Sequence, residues 1–280
     1  MVNQDLKPVK WLIINDNSSD NTLDILEKVS NQYEWIDYIT ISDENFIGES
    51  RRIGYLCKKG SDYLIRKCKE EGIKFQFIGK VDADTIFPQY YFADVIKFLD
   101  SNTQVGLVAG ILKLKLKGPD ISEERIEIGE LCGDRIRGTG IIFRKEAYYD
   151  IGGIRAVKAE DSVANILLRE KGWEIKQLKN LEYWQTRETG RKTSIRQGFT
   201  SRGKRKYYLN TNLLSVLGTA FQYLFYRNKP FLKAFYFILG YFVALINKEE
   251  QIDIKIVREW NGSYTLFIKR LIKRTELIKK

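Results

Sequence analysis

Two carboxylates one residue apart, Asp82 and Asp84, follow the apolar run Phe75–Val81. At the end of a strand, where the chain opens into a loop, two such side chains point roughly the same way and can share a divalent cation that also touches a diphosphate. Mg²⁺ and Mn²⁺ favour oxygen-rich, partly hydrated sites of this kind. The alternative is a solvated turn, because the D-x-D pattern is common. The position at a strand end favours a metal site.

The residue types that the sequence lacks narrow the chemistry further. It contains no histidine, which excludes Ser-His-Asp and Cys-His catalysis, His-based zinc sites and His general bases. Acid–base work is therefore left to Asp, Glu, Lys or Tyr. The three cysteines, Cys57, Cys68 and Cys132, are odd in number and have no CxxC spacing, which predicts reduced thiols of an intracellular protein.

Strand-like and helix-like segments alternate in the first part of the chain. Lys10–Asn15 is a short apolar run followed by a turn rich in Asx and Ser, and then by the helical pattern of Thr22–Val29. The same logic predicts strands at Phe75–Val81, Val105–Leu116 and Gly140–Arg144, and helices at Tyr91–Leu99 and Asp161–Lys171. This order predicts an α/β fold with a mainly parallel sheet flanked by helices. Ligands of such sheets bind beyond the carboxyl ends of the strands, where Asp16, Asp82 and Asp84 are placed.

The formal net charge of +11 is concentrated in the last third of the chain. Residues 187–280 contain 20 Lys/Arg and 6 Asp/Glu, a formal charge of +14, which leaves −3 for residues 1–186. We therefore predict a catalytic domain at 1–186 and a basic helical region at 187–280. The charge of that region favours an anionic partner.

The basic region, residues 187–280, also contains apolar segments. Leu213–Tyr226 and Phe231–Ile246 are rich in aromatic residues, and each is shorter than the ~20 residues of a spanning helix. Tyr264–Lys280 is predicted to be a basic amphipathic helix. We expect a cytoplasmic protein that binds peripherally to the inner face of the cell membrane. The alternative is a helical hairpin packed on the catalytic domain, or a dimer contact.

Four short motifs resemble, in order and spacing, those of the family 2 glycosyltransferases, which have the GT-A fold. They resemble in turn the family's DDGSxDxT segment, its metal-binding DxD, its acceptor-side strand and its ED motif. The four are residues 15–22 (NDNSSDNT), 81–85 (VDADT), 138–140 (GTG) and 159–161 (AED). The resemblance extends over roughly Val2 to Leu178.

The resemblance implies an inverting transfer of a sugar from a nucleotide-sugar donor to an acceptor hydroxyl, with Mn²⁺ or Mg²⁺ on the diphosphate. It implies that Asp161 is the general base, that Asp84 with Asp82 holds the metal, and that Asp16 hydrogen-bonds the nucleotide base. Asp161 is alternatively a helix N-cap residue. The full candidate sets are Asp16, Asn17, Ser18, Arg52 and Asp82 for the nucleotide, and Gly138, Thr139 and Glu160 for the acceptor side.

Three features of the sequence differ from the family pattern or leave a role open. The family's first strand and its Pro-x-Tyr-Asn-like loop have no counterpart, so we expect that the sequence begins after them. The QxxRW motif of processive members is also missing. Within the basic segment Arg191–Lys206, residues Arg196–Gly198 and Arg202–Arg205 are expected to form a flexible segment over the diphosphate, with Arg196 and Arg202 as candidate contacts. A solvated basic loop is equally compatible with that segment.

Two other classes of function compete with the transferase. A metal-dependent nucleotidyltransferase could use the same carboxylate pair, and the basic region could belong to a membrane-surface or nucleic-acid binding module. No nucleic-acid motif or stacking pattern of aromatic residues accompanies the basic segments, so we expect no nucleic-acid partner. The acceptor is open, with a lipid-linked molecule or a glycan as candidates.

Overall fold

The computed structural model describes residues 1–42, 49–114, 136, 138–185, 194–225, 229–266 and 268. The chain divides into two compact units, Met1–Thr186 and Arg187–Lys280. This boundary falls where the charge of the sequence changes from slightly acidic to strongly basic.

The first unit alternates strands and helices. Its elements are β1 (Trp11–Asn15), α1 (Thr22–Gln32), β2 (Ile36–Thr40), α2 (Glu49–Glu70), β3 (Phe77–Lys80), β4 (Thr85–Ile86), α3 (Tyr91–Ser101), β5 (Val105–Leu114), β6 (Ile141–Arg144), α4 (Lys145–Asp150), α5 (Glu160–Glu170) and β7 (Glu174–Gln185). The predicted strands and helices are all present, with ends shifted by a few residues. The last two residues of the third predicted strand, 115 and 116, lie outside the described part of the chain.

The strands form two sheets. β1 and β2 pair in parallel, and the second sheet has the order β3-β6-β5-β7-β4. In that sheet β5 and β7 are parallel, whereas β6 is antiparallel to β3 and β5, and β4 is antiparallel to β7. The predicted α/β fold is confirmed, but the larger sheet is mixed because the two short strands β4 and β6 run against the others. Hydrophobic periodicity indicates a strand without indicating its direction.

The helices cover both faces of the larger sheet. Leu107 and Ala109 of β5 belong to a buried cluster with residues of α4 and α5, whereas Val108 belongs to a second cluster with residues of α3. Successive residues of a strand point to opposite faces, so β5 supplies side chains to both cores. The helical pattern of Asp161–Lys171 places Val163, Ile166 and Leu167 on one side of α5; the first two are buried and Leu167 is partly buried.

The second unit, described by itself, is helical. Its elements are α6 (Ile195–Tyr208), α7 (Leu213–Tyr223), α8 (Pro230–Ile246) and α9 (Lys255–Gly262). Ser194 begins α6 with a capping box, in which its hydroxyl accepts a hydrogen bond from the Gln197 amide. The prediction of a flexible segment or loop is therefore wrong for residues 195–206, because local capping and tertiary packing outweigh the two glycines of this stretch.

Helices α6 and α8 approach each other closely at two glycines. A Cβ on Gly203 would lie 2.0 Å from the carbonyl oxygen of Phe237, and one on Gly240 would lie 2.1 Å from that of Thr200. The two glycines thus permit backbone contact between the helices. The region predicted to be helical is helical in its described part, and the two apolar segments form α7 and α8, while most of the predicted basic helix Tyr264–Lys280 lies outside the described residues. Within the described ranges, no helix combines the length and the apolar character needed to cross a membrane.

Candidate active site

The Asp82-Ala83-Asp84 segment forms a tight turn between β3 and β4. The Thr85 amide donates to the Asp82 carbonyl at 3.2 Å, which closes the turn. The Asp82 amide donates to the hydroxyl of Thr139, a fully buried residue just before β6, at 2.6 Å. Asp84 Oδ1 accepts a hydrogen bond from Gln185 Nε2 at 3.1 Å. Residues next to or on the neighbouring strands β6 and β7 therefore hold the backbone of Asp82 and the carboxylate of Asp84.

Lys80, the last residue of β3, lies at the centre of the acidic cluster. Its Nζ lies 3.2 Å from Oε1 of Glu160 and 3.7 Å from Oδ1 of Asp82, and it donates to the carbonyl of Gly138 at 3.0 Å. Burial lowers the pKa of Lys80, but neighbouring Cys57 and the carboxylates of Asp82, Glu160 and Asp161 raise it above its ordinary value. Lys80 is consequently a permanent cation at neutral pH.

Asp161 lies in the first turn of α5, next to Glu160. Its Oδ2 accepts a hydrogen bond from the Gly138 amide at 3.3 Å, and its Oδ1 accepts one from the Ser162 amide at 2.6 Å. The N-cap position belongs to Ala159, in the left-handed conformation with φ 57°. The N-cap interpretation of Asp161 is therefore wrong by two positions, although the helix dipole still favours a negative charge there.

Asn165, one turn further along α5, fixes the chain segment in front of Gly138. Its Oδ1 accepts from the Ile136 amide at 3.0 Å, and its Nδ2 donates to the Ile136 carbonyl at 2.8 Å. Asn165 is buried, so these paired hydrogen bonds are shielded from water. The start of α5 and the Gly138–Thr139 segment are held together as one piece.

A second group of candidate residues lies at the end of β1. Arg52 of α2 pairs with Asp16, with its Nε 2.9 Å from Asp16 Oδ1 and its Nη2 in contact with the same oxygen. The Asn17 backbone has φ 48°, and the Ser18 amide donates to Oδ1 of Asn15 at 3.1 Å. The predicted nucleotide-binding residues at positions 16, 17, 18 and 52 are thus gathered at one strand end.

Arg196 and Arg202 lie on α6 in the second unit. The guanidinium of Arg202 lies 4.8 Å from the centre of the Phe199 ring, one turn away on the same helix. Their contact with a diphosphate stays a prediction.

The donor set at the D-x-D turn fits a hard divalent cation. Two carboxylates, completed by substrate phosphates and water, are a usual environment for Mg²⁺. Within the described residues no group of three or more Cys, Asp and Glu side chains is arranged to hold a metal ion. Asp82 and Asp84 are the residues at this turn that would hold such a cation.

Two residues of this cluster, Lys80 and Cys57, were not among the predicted site residues. The sequence indicates Lys80 because it is a charged residue inside the apolar run Phe75–Val81. It also lies two positions before Asp82, and so on the same side of the strand. Burial raises the pKa of the Cys57 thiol to about 11, with Lys80 opposing the shift. Cys57 and Cys68 are free thiols, as predicted, while Cys132 lies outside the described residues.

Comparisons with known proteins identify the fold and the family of the chain. The structure is similar to a mannosyltransferase, PcManGT from Pyrobaculum calidifontis, solved with GDP-Man and Mn²⁺. The TM-score is 0.51 with 14% sequence identity, covering 98% of this chain and 80% of that one. A second similar structure, GalNAc-T7 with UDP, GalNAc and Mn²⁺, has a TM-score of 0.45 and 8% sequence identity, covering 64% of this chain and 37% of that one. No curated protein sequence matches the chain. The first similarity shows the GT-A glycosyltransferase fold.

The family is given by the sequence. The profile described as Glycosyl transferase family 2 matches residues 1–150, which is more than half of the chain. The chain belongs to the family 2 glycosyltransferases. The match includes the Asp16 and Asp82–Asp84 motifs and the Gly138–Thr139 segment, and it ends before Asp161.

Proposed function

We propose that this glycosyltransferase moves a sugar from a nucleotide-sugar donor to an acceptor hydroxyl with inversion of the anomeric centre, and that it requires a divalent cation. The observation that carries the proposal is the role of two consecutive residues, Gly138 and Thr139. The Gly138 amide donates to the Asp161 carboxylate, and the Thr139 hydroxyl accepts from the Asp82 amide. One short segment thereby holds a candidate base and a candidate metal ligand in fixed positions.

In this proposal Asp82 and Asp84 hold the cation, Mn²⁺ or Mg²⁺, and the cation offsets the charge that develops on the departing nucleoside diphosphate. PcManGT was solved with a nucleotide sugar and Mn²⁺, and we propose the same classes of ligand here. Asp16, held by Arg52, would accept a hydrogen bond from the nucleotide base.

In this proposal Asp161 removes the proton of the acceptor hydroxyl. A hydroxyl is a poor nucleophile, and a carboxylate within hydrogen-bond reach removes its proton as it attacks the anomeric carbon. A single displacement of this kind inverts the anomeric centre. Glu160, the other carboxylate of the AED motif, is buried against Lys80. Because Glu160 is engaged in that ion pair, Asp161 is the better placed of the two carboxylates to remove the acceptor proton.

Donor binding can be tested without knowing the acceptor. A panel of nucleotide sugars is screened for an increase in melting temperature with and without Mn²⁺, since a ligand at 100 times its Kd stabilises the folded state by about 2.7 kcal/mol. We expect Mn²⁺-dependent stabilisation that Asp84→Ala abolishes. Asp100→Ala, an exposed aspartate at the end of α3, is the matched control and should behave as the wild type.

Two outcomes would contradict the proposal. Equal stabilisation with and without metal would remove the role of Asp82 and Asp84. Exchange of pyrophosphate into a nucleoside triphosphate would indicate a nucleotidyltransferase instead.

A further inference from the structure

Helices α7 and α8 of the second unit leave a large apolar surface exposed. We call it the apolar face. Its members, with 37–77% of each side chain exposed, are Leu214, Leu217, Phe221, Phe225, Phe231, Phe235, Leu239, Phe242 and Ile246. They recur every three or four residues, so they form one stripe along each helix. Large exposed apolar surfaces mark interaction sites in folded proteins.

The side of each helix opposite the apolar face packs within the second unit. Val216, Ala220 and Tyr223 of α7 form one buried cluster with Ala234 and Phe237 of α8, against Phe199 of α6. Each helix already buries its opposite side in this cluster, so the apolar face does not form the core of the second unit. A helix that contacts protein on one side and presents aromatic and aliphatic side chains on the other suits a surface position, with its axis along the interface.

The charge around the apolar face selects the chemistry of its partner. From Arg191 to Lys248 the sequence contains eleven Lys and Arg residues and no Asp or Glu. Helix α7 has no charged residue, and the single one of α8, Lys233, is buried. Exposed lysines lie at both ends of α8, Lys229 at its N-cap and Lys248 two residues beyond its last turn. Glu249 and Glu250 follow Lys248, and Glu249 pairs with Lys204 of α6. An apolar centre with this surplus of cations in its part of the chain is complementary to an anionic lipid surface.

From these observations we infer that α7 and α8 dock the protein on an anionic phospholipid bilayer, with the apolar face inserted at the level of the headgroups. A second copy of the chain is a poorer occupant, because it would bring two strongly basic regions together. The inference does not depend on the transferase reaction, and it can be tested in the absence of any donor or acceptor.

The test is flotation of the full chain with vesicles of phosphatidylcholine alone or mixed with phosphatidylglycerol, at low and high salt. We expect binding to the mixed vesicles that weakens as salt rises, since each basic side chain near the surface contributes about fivefold. The double variant Phe221→Ser/Phe235→Ser removes two rings that are 60% and 58% exposed. It should reduce the partition onto vesicles by at least about tenfold.

The matched control is Leu23→Ser/Ile25→Ser on α1, which removes two apolar side chains that are 44% and 53% exposed outside the apolar face. It should bind vesicles as the wild type does. Circular dichroism of both variants checks that they are folded. The inference is overturned if the wild type stays unbound at low salt, or if the two double variants bind equally. It is also overturned if sedimentation shows a dimer that Phe221→Ser/Phe235→Ser dissociates, because a second copy then covers the face.

Discussion

The Nζ of Lys80 lies 3.2 Å from Oε1 of Glu160, and both side chains are nearly buried, with 12% and 11% exposed. The pair joins the end of β3, directly before the D-x-D turn, to the start of α5, where Asp161 lies. A buried pair of this kind adds little net stability against an apolar replacement, but removing one partner leaves the other charge buried and unpaired. Its evident contribution is to fix the separation of two motifs that are 80 residues apart in the chain.

Lys80→Met should destabilise the protein by about 3 kcal/mol, because Glu160 would lose its counter-ion inside the fold. Addition of Glu160→Gln should recover part of the loss. Urea denaturation gives the free energy of unfolding. Lys58→Met is the control, since the Lys58–Asp62 pair is 45% and 57% exposed, and loss of such a surface pair costs well under about 1 kcal/mol. Equal costs for the two lysines would show that the buried pair has no special role.

Asp161→Asn should retain donor binding and lose turnover, because an amide cannot accept the acceptor proton. The expected fall in kcat is ~10²–10⁴-fold. It is measured as release of nucleoside diphosphate with the donor found by thermal screening, alongside binding of that donor. Asp100→Asn, on the exposed side of α3, is the matched control. Near-normal turnover of the Asp161 variant would assign the base to another carboxylate, with Glu160 the first to test.

Thr139→Val should weaken Mn²⁺-dependent donor binding and destabilise the fold by about 1–3 kcal/mol. The methyl group that replaces the hydroxyl cannot accept the hydrogen bond of the Asp82 amide, which then lacks a partner. Thr139→Ser keeps the hydroxyl and should restore most of the binding. The comparison of the two variants by thermal shift separates the hydrogen bond from side-chain volume. Similar binding by both would show that the hydroxyl does not position Asp82.

Gly240→Ala should destabilise the second unit by about 1–3 kcal/mol, because the new methyl group would overlap the Thr200 carbonyl at the crossing of α6 and α8. Gly218→Ala on α7 is the control, since a Cβ there meets nothing within 4 Å. That change should be neutral or stabilise by up to ~1 kcal/mol through helix propensity. The effect of both substitutions is measured by hydrogen exchange of the α6 and α8 amides. Unchanged protection in Gly240→Ala would contradict the close helix crossing.

The sequence by itself determined much of the local structure. Apolar runs and helical spacing predicted the strands β1, β3, β5 and β6 and the helices α1, α3 and α5, because these patterns depend on neighbouring residues alone. The order of the NDNSSDNT and VDADT motifs likewise predicted the family, which is confirmed.

The tertiary structure decided which distant residues meet. The pairing of Thr139 with the Asp82 amide depends on the placement of β6 beside β3, and that of Lys80 with Glu160 on the approach of α5 to the end of β3. The pairing of Arg52 with Asp16 depends on the packing of α2 against β1. The same is true of α6, whose basic, glycine-containing sequence suggested a flexible segment. In the fold, a capping box at Ser194 begins this helix, and close backbone contacts at Gly203 and Gly240 hold it against α8. Local sequence reports the conformation of each element, whereas contacts between elements follow from strand order and packing, which no local pattern encodes.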